Sequence, residues 1–155
     1  QDSARPKVSF RDTPRHSTSR GDVEKVDGKA LADLIHRQIV PVMAPLTHDG
    51  NGNLLNTNAD TIAGETAKAL AEYFDVTLVY CFEKKGVLRD ENDDDSVIPV
   101  LTPDLFKQYV EEGIVQGGMI PKLENSFSAL DAGVSQVVIT LASAIYKDSG
   151  TIIRK

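Results

Sequence analysis

Gly117-Gly118-Met119-Ile120-Pro121-Lys122 joins a flexible glycine turn to a helix start and sets a lysine in the first helical turn. Behind it Ile120, Leu123, Phe127 and Leu130 recur at helical spacing, so an apolar stripe faces a core and Lys122 lies off that stripe. A strand is expected next, at Gln136–Leu141. Glycines let the backbone approach an anion, the proline presets the first helical residue, and the N–H groups of a helix start carry partial positive charge. Lys122 adds a full positive charge at the same place. The segment therefore outlines a phosphate site, although an ordinary helix start with an exposed lysine accounts for the same residues.

Outward from this point the chain alternates. Helices are expected at Lys29–Arg37, Ala59–Tyr73, Pro103–Glu112 and Pro121–Ala132, and strands at Ile39–Ala44, Val76–Phe82, Gln136–Leu141 and Thr151–Arg154. Such alternation predicts an α/β fold, a mostly parallel sheet with helices on both faces. Ligands of such sheets bind beyond the carboxyl ends of the strands, where Glu83-Lys84-Lys85-Gly86-Val87-Leu88 falls.

A second motif is Leu54-Leu55-Asn56-Thr57-Asn58-Ala59-Asp60, after the turn-rich Asp49-Gly50-Asn51-Gly52 and before Ile62, Thr66, Leu70 and Phe74. It reads as a hairpin feeding a helix. Asn58 suits an N-cap, and Asp60 falls near the positive end of the helix dipole. Capping does not account for Asn56, so Asn56 and Asp60 are candidates to converge on a polar ligand.

Together with Ile39-Val40-Pro41-Val42-Met43-Ala44-Pro45 and the closing Gly150-Thr151, these motifs resemble, in order and spacing from about Gly21 onward, the acetylglutamate kinases of the amino acid kinase family. The resemblance implies transfer of the γ-phosphoryl group of ATP, with Mg²⁺, to the side-chain carboxylate of an N-acylated glutamate in arginine biosynthesis. It implies that Asn56 and Asn58 bind the acylated substrate, that Asp60 holds catalytic lysines in place and that Lys122 stabilises the transferring phosphoryl group. Gly86, Leu88, Gly118, Met119 and Lys122 would then contact the nucleotide. Where family members carry a short Thr/Ser-Asp segment before the glycine, this chain has Cys81-Phe82-Glu83, so no aspartate role carries over to Glu83.

The family's upstream half, with its own catalytic lysine and glycine loops, has no match here. Residues 21–155 correspond to the nucleotide-binding half. Self-association or a complementary N-terminal half is expected, and a nucleotide-binding or interaction module without chemistry is the alternative. In residues 1–20, Arg5, Lys7, Arg11, Arg15 and Arg20 against Asp2 and Asp12 give +3, while the whole chain carries −6. That break marks a boundary, and the serine- and proline-containing composition reads as a flexible arm. Basic residues so dispersed, with Phe10 alone among them, do not suggest a nucleic-acid partner.

At 155 residues the chain is long enough for one domain with a real core. Its longest apolar run, near Val137 to Ile145, is shorter than the roughly 20 residues needed to span a bilayer, and a cytoplasmic setting is expected. The lone Cys81 lies in an apolar run and reads as a core residue. Lys84 and Lys85 are either phosphate ligands or ordinary loop lysines. The run Asp90-Glu91-Asn92-Asp93-Asp94-Asp95 lacks the glycine turn and closing glutamate of a calcium loop and reads as solvated. His16, His36 and His48 show no metal-ligand spacing.

Overall fold

A computed structural model describes residues 9–12, 21–145 and 149–155, and divides the chain into two units after Phe74. In the first unit, β1 (Ser9–Asp12) pairs antiparallel with β2 (Gly21–Lys25). The polar arm thus contributes a strand at Ser9–Asp12, which composition without periodicity gave no sign of; the rest of residues 1–20 lies outside the described residues. Helix α1 (Gly28–His36) follows, with Asp27 accepting a 2.9 Å hydrogen bond from the Ala30 N–H and Leu31 and Ala32 buried.

The expected hairpin is present as β3 (Leu46–His48) and β4 (Leu54–Asn56), with Leu46 opposite Asn56. Its turn is tied by the Asp49 carboxylate, which accepts from the Asn51 N–H at 2.8 Å and from Asn53 Nδ2 at 2.6 Å. Helix α2 (Ala59–Leu70) ends three residues before the expected Tyr73, because the chain closes into a turn where the Tyr73 and Phe74 N–H groups donate to the Leu70 carbonyl at 2.9 and 3.0 Å.

One expected strand is absent. Ile39–Ala44 is irregular, with Val40 83% and Val42 94% exposed. An extended apolar run becomes a strand only when a neighbour completes its hydrogen bonds, and Pro41 lacks the N–H to contribute.

The second unit is built on a four-stranded sheet in the order β5 (Thr77–Phe82), β7 (Gln136–Leu141), β8 (Thr151–Ile153), β6 (Val100–Leu101). The β5–β7 and β6–β8 pairs are parallel and β7–β8 is antiparallel, so the sheet is mixed and mostly parallel as the alternation predicted. Helix α3 (Pro103–Glu111) is capped by Thr102 with proline in its first turn. Helix α4 (Met119–Asp131) packs on β7 and on α3. Leu101, Leu123, Val137, Ile139 and Ile153 have no exposed surface and form the centre of this unit's core.

The two-residue β6 escaped the sequence reading because it is too short to show a period. Cys81 is exposed, contrary to its expected place in the core. The two-residue repeat of a strand sends Leu78 and Tyr80 inward and leaves Cys81 on the other face, where an apolar neighbourhood in sequence says nothing about burial.

Thr151 ties the sheet to the loop that leaves β5. Its buried hydroxyl accepts from the Val87 N–H at 2.8 Å and donates to the Ile98 carbonyl at 2.7 Å. The Ile98 N–H in turn donates to the Val87 carbonyl at 2.8 Å. Gly86 lies so close that a Cβ there would come within 2.8 Å of Thr151 Oγ1 and 3.0 Å of Val97 Cγ1. Gly150 has φ +126°, and a Cβ on it would meet the Ile139 carbonyl oxygen at 2.5 Å. Thr151→Val leaves the buried Val87 N–H without its acceptor and is expected to lower unfolding free energy by about 1–3 kcal/mol. Gly86→Ala overpacks the same place and is expected to cost roughly as much. Urea titration followed by circular dichroism checks both; unchanged midpoints would contradict the assigned contacts.

Candidate functional site

The candidate site residues of the sequence fall into one group in each unit. In the second unit a cavity of about 380 Å³ is lined by Gly86, Val87 and Leu88 from the loop after β5 and by Ile114, Val115, Gln116 and Met119 from the stretch that enters α4. Lys84, Glu91 and Asn92 complete the lining. Val87, Leu88 and Val115 are buried, so the apolar wall is part of the core, and the Thr151 hydroxyl holds that wall in place. Of the sequence candidates, Gly86, Leu88 and Met119 line this one cavity, Gly118 adjoins it in sequence, and Lys122 stands three residues beyond Met119 on α4.

The helix start differs from the expectation in detail. Pro121 is the third residue of α4 rather than the first, and Gly118 at the cap position makes no side-chain cap. The Met119 and Ile120 N–H groups donate to the Gln116 and Gly117 carbonyls at 3.2 and 3.3 Å, and Pro121 has no N–H. Few backbone donors at this helix start remain for an anion, and the charge of Lys122 carries the larger share of any attraction. The Lys122 ammonium lies 3.5 Å from the ring centroid of Phe82, the last residue of β5. The Lys122 backbone is held by Ser126, whose buried hydroxyl donates to the Lys122 carbonyl at 2.8 Å.

Lys84 and Lys85 are engaged, in pairs that sequence reasoning did not foresee. Lys84 meets Asp94 at 2.7 Å and Lys85 meets Asp95 at 2.6 Å, all exposed. The hydrogen bond and charge of Lys84 hold the Asp94 carboxyl below the usual carboxylate range, and Asp94 raises Lys84 in return. The acidic run is thus exposed, as expected, yet partly ordered. Its ends meet through a bridge between Leu88 and Val97, and the Ser96 hydroxyl donates to the Asp93 carbonyl at 2.7 Å.

In the first unit Asn56, Asn58 and Asp60 share the junction between β4 and α2. The Asn58 side chain accepts from the Asp60 and Thr61 N–H groups at 2.7 and 3.3 Å, so it serves as the N-cap. Asn56 is exposed at the end of β4, and Asp60 is half-buried in the first turn of α2. Two residues that sequence reasoning passed over set this junction. The buried Thr47 and Thr57 hydroxyls share a 2.6 Å hydrogen bond, and the Thr57 N–H donates to the Pro45 carbonyl at 3.0 Å. Their signal was the alternation of β3 and β4, which places Thr47 opposite Leu55 on the inner side. Among the described residues no group of three or more His, Cys, Asp or Glu side chains could hold a metal, and no helix is long and apolar enough to cross a membrane.

Comparison with known proteins places these features in a family. Residues 5–141 match the Amino acid kinase family. The acetylglutamate kinase of Phocaeicola vulgatus is 80% identical over 135 residues, which cover 87% of this chain and 52% of that protein. The acetylglutamate kinase of Cytophaga hutchinsonii is 56% identical over 125 residues, covering 81% and 47%. The chain spans about half the length of the curated relatives it matches. In fold it is similar to N-acetylglutamate synthase from Neisseria gonorrhoeae complexed with coenzyme A and N-acetyl-glutamate, with TM-score 0.79 at 20% identity over 96% of this chain and 36% of that one. Carbamate kinase from Giardia lamblia bound to AMP-PNP gives TM-score 0.65 at 14% identity over 97% and 60%. The family match takes in β1 to β7 and most of the chain, and this chain belongs to the amino acid kinase family.

Proposed function

We propose that this chain is the nucleotide-binding half of a kinase that transfers the γ-phosphoryl group of ATP to the side-chain carboxylate of an N-acylated glutamate. The observation that carries this reading is the 380 Å³ cavity between the Gly86–Leu88 loop and the entry to α4, with Lys122 on the same helix. The transition state of phosphoryl transfer spreads negative charge over three equatorial oxygens, so the protein's task is to position the reactants and supply positive charge. Lys122 is suited to that role on the nucleotide side, and Lys84 at the cavity is a further cation for the phosphates. The accepting carboxylate is already ionised and needs no base, which leaves Asp60 the electrostatic task of orienting lysines. Asn56 would bind the acylated substrate, with Asn58 holding the junction from which it projects. Mg²⁺ would arrive with the nucleotide, held by phosphate oxygens and water.

The alternative is a nucleotide-binding or interaction module without chemistry. The two readings diverge on a partner. Ile39, Val40 and Val42 present exposed apolar surface on a segment that joins no strand, which fits burial against a complementary half or a second copy. A cytoplasmic setting fits a biosynthetic role.

Calorimetric titration with Mg·ATP is expected to show saturable binding that weakens about tenfold or more in Lys122→Ala; absence of binding by the unaltered chain would remove the nucleotide reading. Val40→Glu with Val42→Glu is expected to reduce self-association in sedimentation velocity, and an unaltered distribution would show that this run is not the contact surface. The Lys84–Asp94 pair depends on an ionised carboxylate whose pKa is lowered in the fold. It is therefore intact above the ordinary carboxylate value and lost as pH falls through the lowered one. Lys84→Met should return the Asp94 titration, followed by carboxyl-carbon NMR, toward the ordinary value, with little change in stability because both groups are exposed.

A further inference from the structure

We infer that Phe82 is a positioning residue for Lys122, and that its ring fixes the ammonium at the carboxyl end of β5 where the terminal phosphate of a nucleotide would lie; this rests on the nucleotide reading above. The ammonium is 3.5 Å from the ring centroid, well inside the range over which the electron-rich face of an aromatic ring attracts a cation. Phe82 is itself held. It closes β5 opposite Leu141 of β7, and its ring stacks with that of Tyr80 at 6.5 Å between centroids and 24° between planes. The Tyr80 residue is buried, so the stack is rooted in the core.

The opposite side of the contact is fixed as well. Lys122 leaves α4 in its first turn, and the buried Ser126 hydroxyl holds the carbonyl beneath it. Ring and lysine thus come from two rigid elements, a strand end and a helix start, which gives better precision than a loop would. The chemistry of the pairing matters. A carboxylate at position 82 would orient the ammonium but bring a negative charge to the place where phosphate must approach. A benzene ring has no net charge, so this contact contributes direction and leaves the electrostatic sum of the site unchanged. The ring's attraction is also short-ranged, so the ammonium can shift toward phosphate oxygens while the ring keeps its place.

Lys122 has this ring contact, and Lys84 and Lys85 in the adjoining loop each meet a carboxylate. Phe82 is partly buried, so part of its ring is free of the core stack. Its position over Lys122 supplies the reason for an aromatic side chain.

The test uses the full chain labelled with ¹³C-lysine, with Lys122→Arg identifying the Lys122 signal. In the unaltered protein the Lys122 εCH₂ protons are expected upfield of the other lysines, and Phe82→Leu is expected to return them to the common position while Phe82→Tyr keeps the shift. Calorimetry then compares Mg·ATP with adenosine. Phe82→Leu is expected to weaken ATP roughly three- to tenfold while leaving adenosine unchanged, and Phe82→Tyr to restore ATP affinity. A Lys122 signal at the ordinary lysine position in the unaltered chain overturns the inference, and so does a Phe82→Leu chain whose ATP-to-adenosine ratio is unchanged. If the unaltered chain fails to bind ATP at all, the nucleotide reading falls and the phosphate role of Phe82 with it. That outcome is distinct from failure of Phe82 alone, in which the unaltered chain binds ATP normally.

Discussion

A single hydroxyl group sets the geometry on which the second unit depends. Thr151 sits in β8 with no exposed surface, accepting from the Val87 N–H and donating to the Ile98 carbonyl. Those partners belong to the two ends of the excursion between β5 and β6, so one side chain closes a long connection onto the sheet. A buried donor or acceptor without a partner is costly, and a threonine hydroxyl can satisfy one of each at once. Gly86 follows from that arrangement, because the backbone at 86 must approach the hydroxyl more closely than any Cβ would permit. The cavity wall formed by Gly86, Val87 and Leu88 is therefore tied to the core behind it.

This explains why parts of the site were legible in the sequence and others were not. Gly86, Leu88 and Met119 carried a pattern in which a glycine loop and a glycine-led helix flank strands of an alternating chain, and these three line one cavity. The number of donors free at the helix start was not legible, since it depends on whether the preceding turn returns its carbonyls to the Met119 and Ile120 N–H groups. The partners of Lys84 and Lys85 were equally hidden. Asp94 and Asp95 are ten residues away, and a loop must fold back before such charges meet. The paired hydroxyls of Thr47 and Thr57 were invisible for the same reason, although strand alternation indicated which side chains turn inward.

The fold was most readable where periodicity was long. Helix α1 was expected one residue late, β7 at its observed bounds, and the hairpin before α2 at its observed place. Short or context-dependent elements were not. β6 has two residues, and β1 lies in a stretch whose composition gave no period. Cys81 and Ile39–Ala44 fail for complementary reasons. In the first, apolar neighbours suggested burial that the alternation of β5 denies; in the second, β-forming residues lack the pairing partner that makes a strand.

The two prolines that bracket Val42 bear on how copies of this segment can pair. An extended apolar run is the kind of segment that recruits identical copies into stacked ladders, each molecule templating the next. Pro41 and Pro45 interrupt the row of donors such a ladder requires, so copies of this run are poor templates for one another. Apolar contact through Val40 and Val42 survives that interruption. The run thus keeps apolar side chains at the surface while its row of backbone donors is broken at Pro41 and Pro45.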